Sequence, residues 1–407
     1  MKLNYLILTL LSLLVGPQIS GKPNREIVIG KPLPLWSDGY MDIYAINSGR
    51  GECSFIIFPD GTTMLVDAGE FLTRPESQSN HQLVEQRPNA CTRPYMTYAK
   101  FIRHFMKSVK GKTIDYAILT HFHMDHLGSR DKNFSRSKEG YLLTGVMALY
   151  SEIPFTTMVD RAYPDYESMK RQDTSTTIDE YQKFILSAMK NDRMKVERFH
   201  LGSDSQFVQK KKPLNYPNFK ISNLTANGKV WLNGEAYDCY KGSVPRENDS
   251  SAGVLISYGN FNYWTGGDGS NKNLEIPLAK AIGHPIEAMK SNHHLSWRTM
   301  NPEMLKILRP QVIVSQSFYS HQPDIPTLKT LLDQNTYSGE KKVYMTNMVD
   351  SVRYAPENNE VISQLAGIGG HVVIRVLPDG NSFYVIMLED KDFKYRVKQI
   401  EGPFICN

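Results

Sequence analysis

Short apolar runs broken by turn chemistry set the pattern of this chain. Met41 to Ile46 reads as a strand, followed by Ser54-Phe55-Ile56-Ile57-Phe58 and Met64-Leu65-Val66-Asp67 on either side of Pro59-Asp60-Gly61. Two apolar runs joined through Asp-Gly predict a hairpin. The same device returns near the end, where His371 to Leu377 and Phe383 to Leu388 flank Pro378-Asp379-Gly380. Between the hairpins the period changes. Tyr98, Phe101, Ile102, Phe105 and Val109 form one helical stripe that Gly111 can end, and Ile114 to Leu119 then reads as a short buried strand. Residues 70–94, with Pro75, Pro88 and Pro94, read as loop, and 130–245 is less regular apart from a helix over Ile178 to Met189. Strands at Gly253–Tyr258 and Phe261–Trp264, a helix at 276–282, a strand near 286–290, a helix at 301–307 and the strand Val312–Ser315 continue the alternation. Two sheets packed face to face with helices on both outer faces would bury all of these runs, so the expected fold is an αββα sandwich of the α/β class, one domain over residues 30–395.

Composition narrows the class. The 407 residues are 41% hydrophobic and 22% charged, which excludes a disordered, collagen-like or coiled-coil chain. A formal charge of +5 is small for this length. The one basic run, Lys210-Lys211-Lys212, is too short for a nucleic-acid stripe and is expected to be a solvated loop. Residues 1–21 differ from the rest: Lys2, an apolar stretch from Leu6 to Val15 interrupted by Thr9 and Ser12, the breaker Gly16-Pro17, then small Ser20 and Gly21. This is the pattern of a secretory signal peptide, either cleaved near residues 20–22 or retained as an anchor. No later segment reaches the ~20 apolar residues of a spanning helix, so the mature chain is expected to be secreted or periplasmic. Cys53, Cys91, Cys239 and Cys406 contain no CxxC pair. They allow up to two disulfides or four buried thiols.

The strongest chemical signal is His121-Phe122-His123-Met124-Asp125-His126. Side chains two apart at the end of a strand project the same way, and Asp125 and His126 follow where the chain turns back. Three imidazoles and a carboxylate suit zinc or a similar divalent ion. Other candidates are weaker. Asp67 reads as a strand-end cap or as the carboxylate that orients a liganding histidine. Arg161, among tyrosines, reads as ordinary loop packing or as a headgroup anchor. His200 reads as a surface or core histidine, and His321 as a possible lining residue.

The His-x-His-x-Asp-His segment, with Val66-Asp67-Ala68-Gly69 upstream, resembles the metallo-β-lactamase superfamily. Ser48-Gly49-Arg50-Gly51 sits where that family has its glycine-rich loop, and Thr265-Gly266-Gly267-Asp268 is similar to its later strand ending in an aspartate. Asn292-His293-His294-Leu295-Ser296 resembles the His-His-Gly-Ser segment of the secreted DNA-uptake-type and phosphorylcholine-esterase-type branch, with Leu295 in place of glycine. The resemblance implies a binuclear metal-dependent hydrolase. His121 and His123 would bind one divalent ion, Asp125 and His126 a second, and Asp268 would bridge them. His294 is assigned as a further ligand and His293 to the substrate side as proton donor, with the opposite assignment open. The ions, Zn²⁺ or else Mn²⁺ or Fe²⁺, would activate a water, delivered as hydroxide to a phosphodiester or phosphoester of a small molecule or headgroup. Thioester, lactone or β-lactam hydrolysis is the alternative, and a metal-binding nucleic-acid handling module is the reading from another class.

Overall fold

The structure is a computed structural model that describes residues 26–73, 80–167 and 177–407. The expected leader therefore lies outside the described residues. Among the described residues no helix is long and apolar enough to cross a membrane.

Two mixed sheets form the body of the molecule. In spatial order, the first runs Val397–Ile405, Ser382–Leu388, His371–Val376, Met41–Ala45, Ser54–Ile57, Thr63–Val66, Ile114–Leu119, Phe155–Asp160 and Lys195–Arg198. The second runs Gly367–Ile368, Lys342–Met345, Val312–Ser315, Ala288–Lys290, Phe261–Thr265, Gly253–Tyr258, Phe219–Ala226, Lys229–Leu232 and Glu235–Asp238. Each sheet is antiparallel where hairpins build it and parallel where helices cross over.

Alternation explains the layering. Along Met41–Ala45, Ile43 faces the second sheet while Tyr44 faces the outer helices. Ile43, Ile56, Met64, Val66 and Ile118 from the first sheet meet Ile221, Val254, Ile256, Ala288 and Val314 from the second in a dry central layer. Helices Pro94–Phe105, Gly145–Glu152 and Ile178–Asn191 cover the first sheet, and Lys272–Ile282, Pro302–Leu308 and Ile325–Leu332 cover the second. The αββα sandwich expected from the pattern is the fold observed.

Two details differ from expectation, and two other readings gain detail. The helix begins at Pro94, the last proline of the predicted loop, because proline at a first helical position needs no N–H partner. The domain does not stop at 395: Val397–Ile405 pairs with Ser382–Leu388 as the outermost strand of the first sheet. The lysine run is the expected loop, with Lys210 and Lys212 exposed, and it is pinned in place. Asp60 accepts the backbone N–H groups of Lys211 and Lys212, while Lys211 Nζ lies 2.8 Å from Asp115 and Lys212 Nζ 2.6 Å from Asp38. All four cysteines are free thiols, one of the two states left open by the sequence, with Cys53 and Cys406 buried, Cys239 half-buried and Cys91 exposed.

Candidate metal centre

Three backbone segments stack to make the floor of the site. Asp67-Ala68-Gly69 leaves its strand and meets the histidine loop, with the Ala68 N–H donating to the His126 carbonyl and the Glu70 N–H to that of Met124. On its other side the Gly69 N–H donates to the Glu52 carbonyl, and the Glu52 N–H donates to that of Asp125 at 2.8 Å. This contact leaves no room for side chains. A Cβ on Gly69 would lie 1.8 Å from the Asp125 carbonyl oxygen, and one on Gly51, where φ is +135°, 2.5 Å from the Gly69 carbonyl. Tyr98 Oη donates to the Gly51 and Gly69 carbonyls and so ties the stack to the helix above.

On that floor the histidine loop closes as a single helical turn, Leu127 N–H donating to the His123 carbonyl at 2.8 Å. His121 Nε2 and His123 Nδ1 come within 3.2 Å, as their two-residue spacing predicts. Asp67 organises the rest. It accepts the Thr120 N–H at 2.8 Å and the Thr120 hydroxyl at 2.7 Å, and lies 2.8 Å from His126 Nδ1. Asp67 is therefore both turn cap and histidine orienter. With its Nδ1 proton held by this carboxylate, His126 turns its Nε2 towards the site.

Asp268 comes from the second sheet to meet these groups. Its Oδ2 lies 3.3 Å from His126 Nε2, 3.8 Å from His121 Nε2 and 3.8 Å from His293 Nε2, and its Oδ1 3.3 Å from His294 Nε2. Asp125 Oδ2 is 3.5 Å from His294 Nε2 and 3.9 Å from His126 Nε2. All seven residues singled out in the sequence thus converge on one point between the sheets.

The two adjacent histidines differ. His294 is fully buried, and its Nδ1 donates to the Gln316 carbonyl at 2.8 Å, leaving Nε2 for the site. The His293 side chain keeps 31% of its exposure and contacts Ser270 and Asn248. Their backbone is left-handed, with φ of 44° at His293, 56° at His294 and 59° at Leu295. Leu295 adopts the conformation for which glycine is suited. Each such residue costs roughly 1–3 kcal/mol and must be held by its surroundings.

Sequence reasoning missed two charged residues. Glu52 and Lys290 are both buried, 3.0 Å apart, beneath Asp268; Lys290 Nζ also donates to the Gly267 carbonyl at 2.6 Å and lies 3.5 Å from Asp268 Oδ1. Glu52 sits at the Nδ1 edge of His294, 3.4 Å away, opposite the nitrogen that faces Asp268. Although Glu52, His126, Asp268 and His294 are close enough to share one ion, Lys290 already neutralises Glu52. The signal was a lone charge at the end of each apolar strand, Glu52 before Ser54–Ile57 and Lys290 closing Ala288–Lys290.

The other candidates are not among the converging groups, although His321 lies close enough to His293, His294 and Asp125 to feel their charge. Arg161 is buried and pairs with Glu247 and Asn227, so it anchors a loop and is not open to a headgroup. Glu247 also accepts the Phe122 N–H at 2.8 Å, which braces the histidine loop. His200 is exposed on the edge of the first sheet. His321 stacks on Tyr319 and lies 4.0 Å, ring to ring, from His81.

The electrostatics ask for a cation. Burial works against charging His294, but Asp268 and Asp125 outweigh it and hold its pKa up at about 9. His126 is likewise raised against burial by Asp268 and Asp67, whereas burial, with His126 beside it, keeps His121 low. Asp268 is held well below the carboxylate range despite burial, by His294 and His126. Among the described residues, His126 Nε2, His294 Nε2 and Asp268 Oδ1 have no hydrogen-bond partner. A buried polar atom left so costs ~1–3 kcal/mol. Borderline nitrogen and carboxylate donors with their far atoms tied down fit a divalent transition-metal ion.

Residues 49–130, from the glycine-rich loop through the histidine turn, match the family profile described as the Metallo-beta-lactamase superfamily. The match covers about a fifth of the chain and takes in the stacked glycine loops and the His121–His126 turn of the αββα sandwich. No curated protein matches the chain in sequence. Among solved structures it is similar to the human tRNase Z, short form, at 11% identity and a TM-score of 0.33, over 67% of this chain and 90% of that one.

Proposed function

We propose that the protein is a metal-dependent hydrolase of phosphodiesters or phosphoesters that holds two divalent ions. The observation that carries the metal reading is the set of unpartnered Nε2 atoms of His126 and His294 aimed at Asp268, each with its other ring nitrogen already tied down. His121, His123, Asp125, His126, His294 and bridging Asp268 would hold the ions. When bound, such ions acidify water and stabilise a developing oxyanion.

The chain's own residues do the remainder. Asp268 presents one carboxylate oxygen to each group of histidines, and Lys290 steadies its inner oxygen from below. His293 is partly exposed at the mouth, and burial of its ring lowers its pKa. It offers one N–H and one lone pair, the equipment to pass a proton to a leaving group. The phosphoester preference rests on the resemblance of the Asn292-His293-His294 segment to its branch. The apolar leader supports an exported location.

Purified protein assayed for bound metal and for hydrolysis of bis-p-nitrophenyl phosphate, p-nitrophenyl phosphate, a thioester, a lactone and a β-lactam tests this reading. Stoichiometric metal with phosphodiester or phosphomonoester turnover that chelation abolishes is expected. Absence of metal refutes the site, and acyl turnover alone moves the substrate class to the alternative. N-terminal sequencing of exported material should begin near Gly21 to Pro23; an intact Met1 would sink the cleaved leader.

A further inference from the structure

The turn bearing His293 and His294 is strained, and one buried side chain grips it from both flanks. Glu275, in the helix Lys272–Ile282, is fully buried. Its Oε1 accepts from Asn292 Nδ2 at 2.6 Å and from the Met300 N–H at 3.0 Å, and its Oε2 accepts the Asn301 N–H at 2.8 Å. Asn292 immediately precedes the three left-handed residues, and Met300, itself at φ 58°, and Asn301 follow them. Both flanks are anchored further. Asn292 Oδ1 accepts from Trp264 Nε1 on the strand that leads to Asp268, and Asn301 caps the helix Pro302–Leu308 through the Glu303 N–H.

Nothing in the usual logic of a core explains this carboxylate. Among the described residues no lysine, arginine or histidine pairs with it, and a buried carboxylate without a cation is costly. The usual remedy for left-handed strain is glycine. At 293 and 294 that remedy is closed, because the site uses imidazoles there, and at 295 the chain has leucine. The strain must therefore be restrained from outside the turn.

We infer that Glu275 is a positioning residue, a clamp that closes the ends of the left-handed turn so that His294 Nε2 and His293 Nε2 both face Asp268. It touches neither substrate nor metal. The inference rests on the reading of His294 as a metal ligand, and the test separates the two.

Zn²⁺ alone is titrated by calorimetry into the metal-stripped full chain, below the melting temperature of each variant, with kcat and KM measured in parallel. Glu275→Gln keeps the volume but offers one acceptor oxygen where two are needed. Its Zn²⁺ affinity should fall ~10–100-fold, the usual effect of losing a group that orients a ligand, and kcat should fall with little change in KM. Glu275→Ala should lose at least as much. Adding Leu295→Gly to Glu275→Ala should then recover most of that affinity even as the melting temperature drops further, because glycine accepts the turn unaided while the buried leucine is lost. A purely structural Glu275 cannot produce recovery of binding together with loss of stability. Wild-type Zn²⁺ affinity in folded Glu275→Gln, or no recovery in the double variant, overturns the clamp. Wild-type affinity in His294→Ala overturns the ligand reading itself, and the clamp with it.

Discussion

The two arms of the site reach the same geometry by opposite routes. The arm from His121 to His126 follows a buried strand and closes as an ordinary turn; Thr120 beside it and Asp67 from another strand set its rings. The arm at His293 and His294 is wound left-handed, and its shape is held by Glu275, Trp264 and the Gln316 carbonyl, which grip the turn from both flanks. Where the backbone turns in an ordinary way, spacing brings the rings together and one carboxylate from a neighbouring strand sets their direction. Where neighbouring residues must aim adjacent rings at one carboxylate, tertiary contacts must hold a conformation the chain would not choose.

The sharpest way to break this comparison is to remove what the arms share. Asp268→Ala should release at least one ion per chain by elemental analysis, and activity should fall beyond the ~10²–10⁴-fold that a positioned acid contributes. Within the left-handed arm, His294→Ala should lose metal and activity together. His293→Ala should keep its metal and lose turnover by ~10²–10⁴-fold. If His293→Ala loses metal and His294→Ala does not, the two roles are exchanged. In the other arm, Asp67→Ala should weaken metal binding ~10–100-fold by freeing His126 to rotate; unchanged affinity would mean that the loop backbone alone aims the ring.

A smaller effect is expected from acid. His371 accepts the Asn47 N–H at 3.0 Å just before the glycine-rich loop, and burial pushes its pKa down to about 4 from 6.5. The depressed value means that its contribution is present above pH 6.5 and is lost as pH falls towards 4. Denaturant melts should therefore lose about 1 kcal/mol per pH unit over that window, and His371→Gln should flatten the slope. The smallest change belongs far from both arms. Lys212→Ala breaks a half-exposed pair with Asp38 and should cost under ~1 kcal/mol.

Most of the sandwich was legible because its inner strands are continuous apolar runs; Val312–Ser315 and Gly253–Tyr258 occur where the pattern puts them. Among the strands that escaped notice, Lys195–Arg198, Glu235–Asp238 and Val397–Ile405 lie at sheet edges and carry Lys, Glu and Gln on open faces. Phe155–Asp160, Phe219–Ala226, Lys229–Leu232 and Lys342–Met345 lie inside the sheets, where polar residues interrupt their apolar runs. The histidine motif announced itself because its chemistry is crowded into six residues. Glu52, Lys290 and Glu275 did not, since each is a single ordinary charge whose partner the fold brings from far along the chain. Arg161 packs a loop, one of its two expected readings, through a partner, Glu247, that lies in another loop.

Asp268 stands on one sheet and faces His121 and His126 on the other. Any ion seated among them is therefore a cross-link between the halves of the sandwich. Binding only to the folded chain, free metal at a hundred times its dissociation constant would add about 2.7 kcal/mol to stability. The concentration of available metal would thus set how long the fold survives as well as how fast it reacts, and in a metal-poor compartment the protein would be lost to unfolding and proteolysis sooner.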